Sequence, residues 1–164
     1  MSDRFPARII FPAVLAEHPD IKEYMESTSD ETEDLGDGTI DAQEYSARNG
    51  YPEIEETLVQ LGVAFDRHSD SYAEINAEWR VFRPAPNHVD HTIPSNQNGD
   101  LLVSLDTLKA LADKLAVGAG TRAMTLDDIK AEMGLTSTCG TVADWVKANQ
   151  ERLQALMAQA KAAE

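Results

Sequence analysis

Apolar residues in the first half of the chain come in short runs, whereas towards the C-terminus they recur at three- and four-residue intervals. That change of period predicts an α+β protein with a helical C-terminal region. Arg8 to Leu15, RIIFPAVL, is bounded by charge and reads as a strand, with Pro12 confining it to an edge or a bulge. Pro19 suits the first turn of a short helix reaching about Ser27, with Ile21 and Met25 on one face. Residues 27 to 38, STSDETEDLGDG, carry no period and read as a mobile loop. Thr39 to Ser46 reads as a strand, Asn49-Gly50 as a turn, and Pro52 to Leu61 as a helix with Ile54, Leu58 and Leu61 on one face, stopped by Gly62. Val63 to Ser69 and Glu78 to Pro84 suggest a hairpin or meander. Such short runs cannot bury an apolar face alone, so the order β, α, β, α, β, β predicts a small sheet with helices packed on one side.

Residues 83 to 100 hold three prolines and three asparagines with almost no period, which predicts a linker or long loop. A short apolar run, Leu101 to Val103, precedes a helix N-capped by Ser104, with Leu105, Leu108, Ala112 and Leu115 as its buried stripe. Thr125 to Asp128 opens a helix through Met133, ended by Gly134. Thr141, with Asp144 three residues on, opens a last helix to about Ala160, whose packing face holds Val142, Trp145, Val146, Asn149, Leu153, Leu156 and Met157. This organisation divides the chain into an acidic α+β domain (1–83), a proline-rich linker or loop (84–100) and a mainly helical region (101–164), or joins them in one continuous domain.

Charge sharpens the division. Of the 164 residues, 29 are acidic and 14 basic, a net charge of −15. Residues 1 to 60 hold 15 acids against Arg4, Arg8, Lys22 and Arg48, a net of −11, while residues 119 to 164 have six acids and five bases. A chain of this length buries roughly 70% of its unfolded surface, ample for a core. Cys139 is the only cysteine, so no internal disulfide forms, and the N-terminus lacks the apolar run of a signal peptide. No stretch approaches the roughly 20 apolar residues that span a bilayer, and an acidic surface is repelled by anionic lipid. The expected location is the cytoplasm.

No motif establishes a reaction, a metal or a cofactor, and a non-enzymatic protein is expected. Asp37 to Glu44 resembles the second half of an EF-hand loop through Gly38, Ile40 and Glu44. A loop ending there would begin at Glu33 and place Leu35 at its third position, so the bland reading is a polar turn entering a strand; a calcium-responsive module is a further alternative. His88-Val-Asp-His91 offers too few ligands for zinc. Asp66-Arg-His-Ser-Asp-Ser71 has the residue types of a hydrolase triad crowded into one hairpin, where they cannot converge. Gly118 to Thr121 lacks the ending of a phosphate loop and reads as a helix stop. Residues 125 to 148 resemble a helix-turn-helix unit with a connection two residues too long. Its second helix offers only Lys147 and Arg152 to phosphate, against Asp144 and the overall negative charge.

The remaining signal is the acidic surface: Glu17, Asp20, Glu23, Glu26, Asp30, Glu31, Glu33, Asp34, Asp37, Glu53 and Glu56. Solvated acids commonly serve solubility alone. Closely set carboxylates can also imitate nucleic-acid phosphates and occupy a partner's basic groove. From Tyr45 to Pro84, the runs YSARNGYPEIEE, LGVAFDRHSD and RVFRP resemble a group of uncharacterised small proteins carried by phages and plasmids. That resemblance covers about a quarter of the chain. It implies a mobile genetic element, whose small acidic proteins often counter host restriction or CRISPR systems, and it transfers no residue roles. The expected function is an acidic inhibitor of a host nucleic-acid-binding defence machine, contacting a basic protein surface and not membrane, with direct nucleic-acid binding disfavoured on charge grounds. The alternative is a helix-turn-helix regulator or accessory protein that binds DNA through Lys147 and Arg152 and dimerises or recruits through its acidic region.

Overall fold

In the computed structural model, which describes residues 3–72, 76–84, 88–96, 102–117 and 140–163, six strands form one antiparallel sheet. They are β1 (Arg4–Pro12), β2 (Glu31–Asp34), β3 (Thr39–Arg48), β4 (Phe65–Ser69), β5 (Ala77–Arg83) and β6 (Val89–Ser95), in the spatial order β2-β3-β1-β4-β5-β6. The helices are α1 (Pro19–Ser27), α2 (Ile54–Gln60), α3 (Leu105–Val117), α4 (Val142–Ala148) and α5 (Gln150–Ala163), with a 3-10 turn over Ala13–Glu17. The α+β class expected from the sequence is the class observed. Among the described residues no helix is long and apolar enough to cross a membrane.

The pleat sorts the side chains. Ile9 opposes Ala42 and Phe11 opposes Ile40, while Phe65 opposes Phe82, so these six project to one face. That face carries the core: Leu15, Ile21 and Tyr24 from the 3-10 turn and α1, Ile54 and Leu58 from α2, and Leu153 and Met157 from α5 all join one cluster. Trp145 and Val146 of α4 pack against it. The C-terminal helices thus complete the core of the acidic segment.

Four local expectations are corrected. β1 lies inside the sheet, paired with β3 and β4, and Pro12 ends it; the register shift falls between Phe5 and Ala7, at Pro6, which has no N–H to donate. Residues 27 to 38 are not simply a loop. β2 pairs with β3 there, and its sequence ETED shows no alternation because an edge strand with both faces in water needs none. The expected linker contains β6, whose Pro94 is tolerated at the other edge. The last helix is two helices, interrupted at Asn149, whose side chain donates to the Trp145 carbonyl at 2.9 Å.

The Ser104 cap is present, its Oγ accepting the Thr107 N–H at 3.0 Å. Leu105 and Leu108 on α3, however, are 66% and 50% exposed, contrary to the expected buried stripe. Helical spacing marks an apolar face without supplying what packs on it. Thr141 and Asp144 form the capping box that opens α4. The expected helix of 125–133 and its Gly134 stop, the Gly118–Thr121 turn and Cys139 lie outside the described residues.

Candidate functional site

All eleven acidic candidates are exposed. Glu17 ends the 3-10 turn, Asp20, Glu23 and Glu26 lie on α1, and Asp30 precedes β2. Glu31 and Glu33 share one face of β2 and Asp34 takes the other. Glu53 and Glu56 flank the start of α2, and between α1 and α2 a depression of about 190 Å³ brings Asp20 and Glu23 beside Glu53. Local backbone holds part of this surface: Asp30 accepts the Tyr45 N–H at 2.6 Å, Asp34 that of Gly36 at 2.9 Å, and Asp37 both the N–H and hydroxyl of Thr39. The cationic neighbours are few. Lys22 stands 4.0 Å from Glu17 and His18 3.9 Å from Asp20, and among the described residues the other candidates have no ion-pair partner within 4.0 Å.

Titratable groups nearby register the field. Burial pushes the Tyr24 phenol up, and the carboxylates of Glu44, Glu53 and Asp30 push it further. Glu44 is raised by burial first, with Glu53 and Asp30 adding to it against the Glu53 N–H that it accepts at 3.2 Å. A carboxyl with a raised folded pKa binds its proton more readily folded than unfolded. Stability therefore falls as pH rises from the ordinary value of about 4 through the raised one. Replacing Glu44 by Gln removes that dependence. Chemical denaturation from about pH 4 to about pH 7 should show the variant gaining on the wild type as pH rises, and a constant difference would refute the assignment.

Four arginines of the strands, Arg8, Arg67, Arg80 and Arg83, are engaged elsewhere. Arg8 pairs with buried Asp41, and Arg83 lies 2.8 Å from Asp66 while donating to the Gly140 carbonyl before α4. Arg67 on β4, only 1% exposed, pairs with Glu78 of β5 and stands 2.9 Å from Glu55 of α2 without hydrogen-bond alignment. It also donates to the Gly50 carbonyl and to Ser69 Oγ, each at 3.1 Å. Arg80 on β5 reaches Glu55 and forms a two-pronged bond to Asp90 on β6 at 2.8 Å, which holds the Asp90 carboxyl below its usual range. Asp41, Glu55, Asp66, Glu78 and Asp90 thus take these cations, and the eleven exposed acidic candidates are left without them.

This network borders a cleft of about 560 Å³ between α2, the 48–52 turn and β5, with Arg48, Tyr51, Glu53, Glu55, Glu56 and Arg80 in its wall. None of the network or of Tyr51 was among the candidates read from the sequence. One signal existed: Arg67 sits between Phe65 and Ser69 on the inward alternation of β4, where an arginine requires buried partners.

The other motifs do not converge. Alternation sends Arg67 and Ser69 to the core face and Asp66 and His68 to the opposite one, where His68 lies against Trp79 and burial lowers its pKa. Asp90 turns to Arg80 while His91 takes the other face of β6, and His88 meets the edge of Phe82. Glu44 turns inward to Tyr24 and away from the Asp37 turn. Lys147 is exposed near the end of α4; Arg152 on α5 lies 5.9 Å from the Trp145 ring. The chain matches no protein-family model, no curated protein and no solved structure.

Proposed function

We propose that the protein is a non-enzymatic inhibitor that occupies the basic nucleic-acid-binding surface of a host defence machine, of the anti-CRISPR or anti-restriction kind, through the acids of α1, β2 and the start of α2. The observation that carries this reading is the distribution of cations: Arg8, Arg67, Arg80 and Arg83 pair with Asp41, Glu55, Asp66, Glu78 and Asp90, while the exposed acidic candidates stay almost unpaired among the described residues. Self-repulsion makes such a surface costly to a fold and attractive to a basic partner. The resemblance of residues 45–84 to phage and plasmid proteins supports the same setting.

Binding to a panel of restriction endonucleases and CRISPR effector complexes is the test. At least one should bind at low salt, with affinity falling by roughly tenfold or more as salt is raised past physiological strength. Absence of binding at low salt, or binding indifferent to salt, would refute the mechanism. In a gel shift with random and self-promoter duplex DNA the chain should retain none. Retention at moderate salt, lost on replacing Lys147 and Arg152, would favour the helix-turn-helix regulator instead.

A further inference from the structure

The cleft beside α2 has a charge balance unlike that of the open acidic surface. Arg80 in its wall is held by Asp90 and Glu55, and Glu55 also faces Arg67, so these charges offset one another. Glu53, Glu56 and Arg48 remain, none with an ion-pair partner within 4.0 Å among the described residues. Tyr51 is 49% exposed, and the Arg67 guanidinium lies 4.6 Å from its ring centroid. Arg67 is buried and covers one side of the ring, and the half-exposed Tyr51 lines the cleft. The turn that carries Tyr51 is fixed: Asn49 donates to the Asp3 carbonyl at 2.7 Å, Tyr51 to that of Arg48 at 3.1 Å, and Gly50 accepts from Arg67. A preformed aromatic surface beside two carboxylates that lack ion-pair partners among the described residues, Glu56 accepting only from Gln60 at 3.4 Å, suits a planar, weakly hydrated cation that can stack and be paired at once.

We infer that this cleft receives an arginine side chain of the basic partner, its guanidinium stacked on Tyr51 and paired with Glu53 and Glu56, while Arg48 takes a carbonyl oxygen of the arriving chain. The inference rests on the acidic surface being a docking face for a basic protein, and it adds the residue type and the place of insertion. A volume of about 560 Å³ accommodates such a side chain with its flanking backbone. Lysine is the poorer occupant, since its ammonium is more strongly hydrated and does not stack as a plane.

The test titrates the full chain with the capped tripeptides Gly-Arg-Gly and Gly-Lys-Gly, followed by backbone amide shifts. The arginine peptide should move the amides of Asn49 to Glu56, apart from Pro52, and bind about three- to tenfold more tightly than the lysine peptide. Tyr51→Leu and Glu56→Gln should each abolish most of that preference. Glu56 is exposed and outside the buried network, so its variant reports on the cleft even if Tyr51→Leu disturbs the turn. Equal affinities, shifts confined to α1 and β2, or an unchanged preference in Glu56→Gln would overturn the assignment. If the cleft variants bind the basic partner as the wild type does, the arginine site alone is wrong. If neutralising α1 and β2 leaves partner binding intact, the docking face is wrong.

Discussion

Replacing Arg67 by Met should lower the unfolding free energy by about 2 to 4 kcal/mol, because it takes one of two counter-charges from buried Glu55 and the ion-pair partner from half-buried Glu78. The side chain is 1% exposed and Glu55 7%, so neither can turn to water without opening the seam between α2 and the sheet. Glu78, at 26%, recovers some solvent and sets the lower end of the range. Methionine roughly preserves the volume, so the loss is electrostatic and not a cavity. Urea unfolding of Arg67→Met measures it. Adding Glu55→Gln and Glu78→Gln should recover part of the loss, since no carboxylate then lacks a counter-charge and Arg80 keeps Asp90. A loss below about 1 kcal/mol in the single variant would mean that Arg67 does not hold the seam.

Gly50→Ala should cost about 2 to 4 kcal/mol through backbone strain and overpacking together. Gly50 has φ +72°, a conformation that residues with a Cβ rarely adopt. A Cβ there would also stand 2.8 Å from the Ser69 Cβ and closer still to the Phe5 ring. Phe5 and Ser69 are both buried, so neither can retreat cheaply. The same turn presents the Gly50 carbonyl to Arg67, and the variant should therefore also weaken the platform under Tyr51. Thermal unfolding is the measurement; a midpoint within a degree of wild type would refute the account of this turn.

Four of the six strands and most of the helices were legible from the chain because their apolar residues follow the period of a buried face. Ala7, Ile9 and Phe11 repeat every second residue along β1, as do Ile40 and Ala42 along β3, and Leu153 and Met157 are about one helical turn apart. β2 and β6 escaped because edge strands have no such obligation: ETED carries no apolar residue, and β6 has proline next to its end. The exposed acids were legible from charge alone. The network of Arg67, Glu55, Arg80 and Asp90 was not, because its members come from four separate elements and only pairing register brings them together. The stripe of Leu105 and Leu108 shows the converse limit, a clear helical period on a face that stays exposed.

In the proposed function, exposed carboxylates on α1 and β2 occupy a partner's nucleic-acid surface, and that contact has a direct readout. It is tested most directly by DNA cleavage with a panel of restriction endonucleases and CRISPR effector complexes, comparing the wild type with the variant Glu23→Gln, Glu26→Gln, Glu31→Gln, Glu33→Gln. All four side chains are exposed and outside the core, so the variant should fold as the wild type does. The wild type should inhibit at least one of these enzymes in a salt-sensitive manner, and the variant should require roughly tenfold or more protein for the same effect. Inhibition of none of them, or equal inhibition by both proteins, would contradict it.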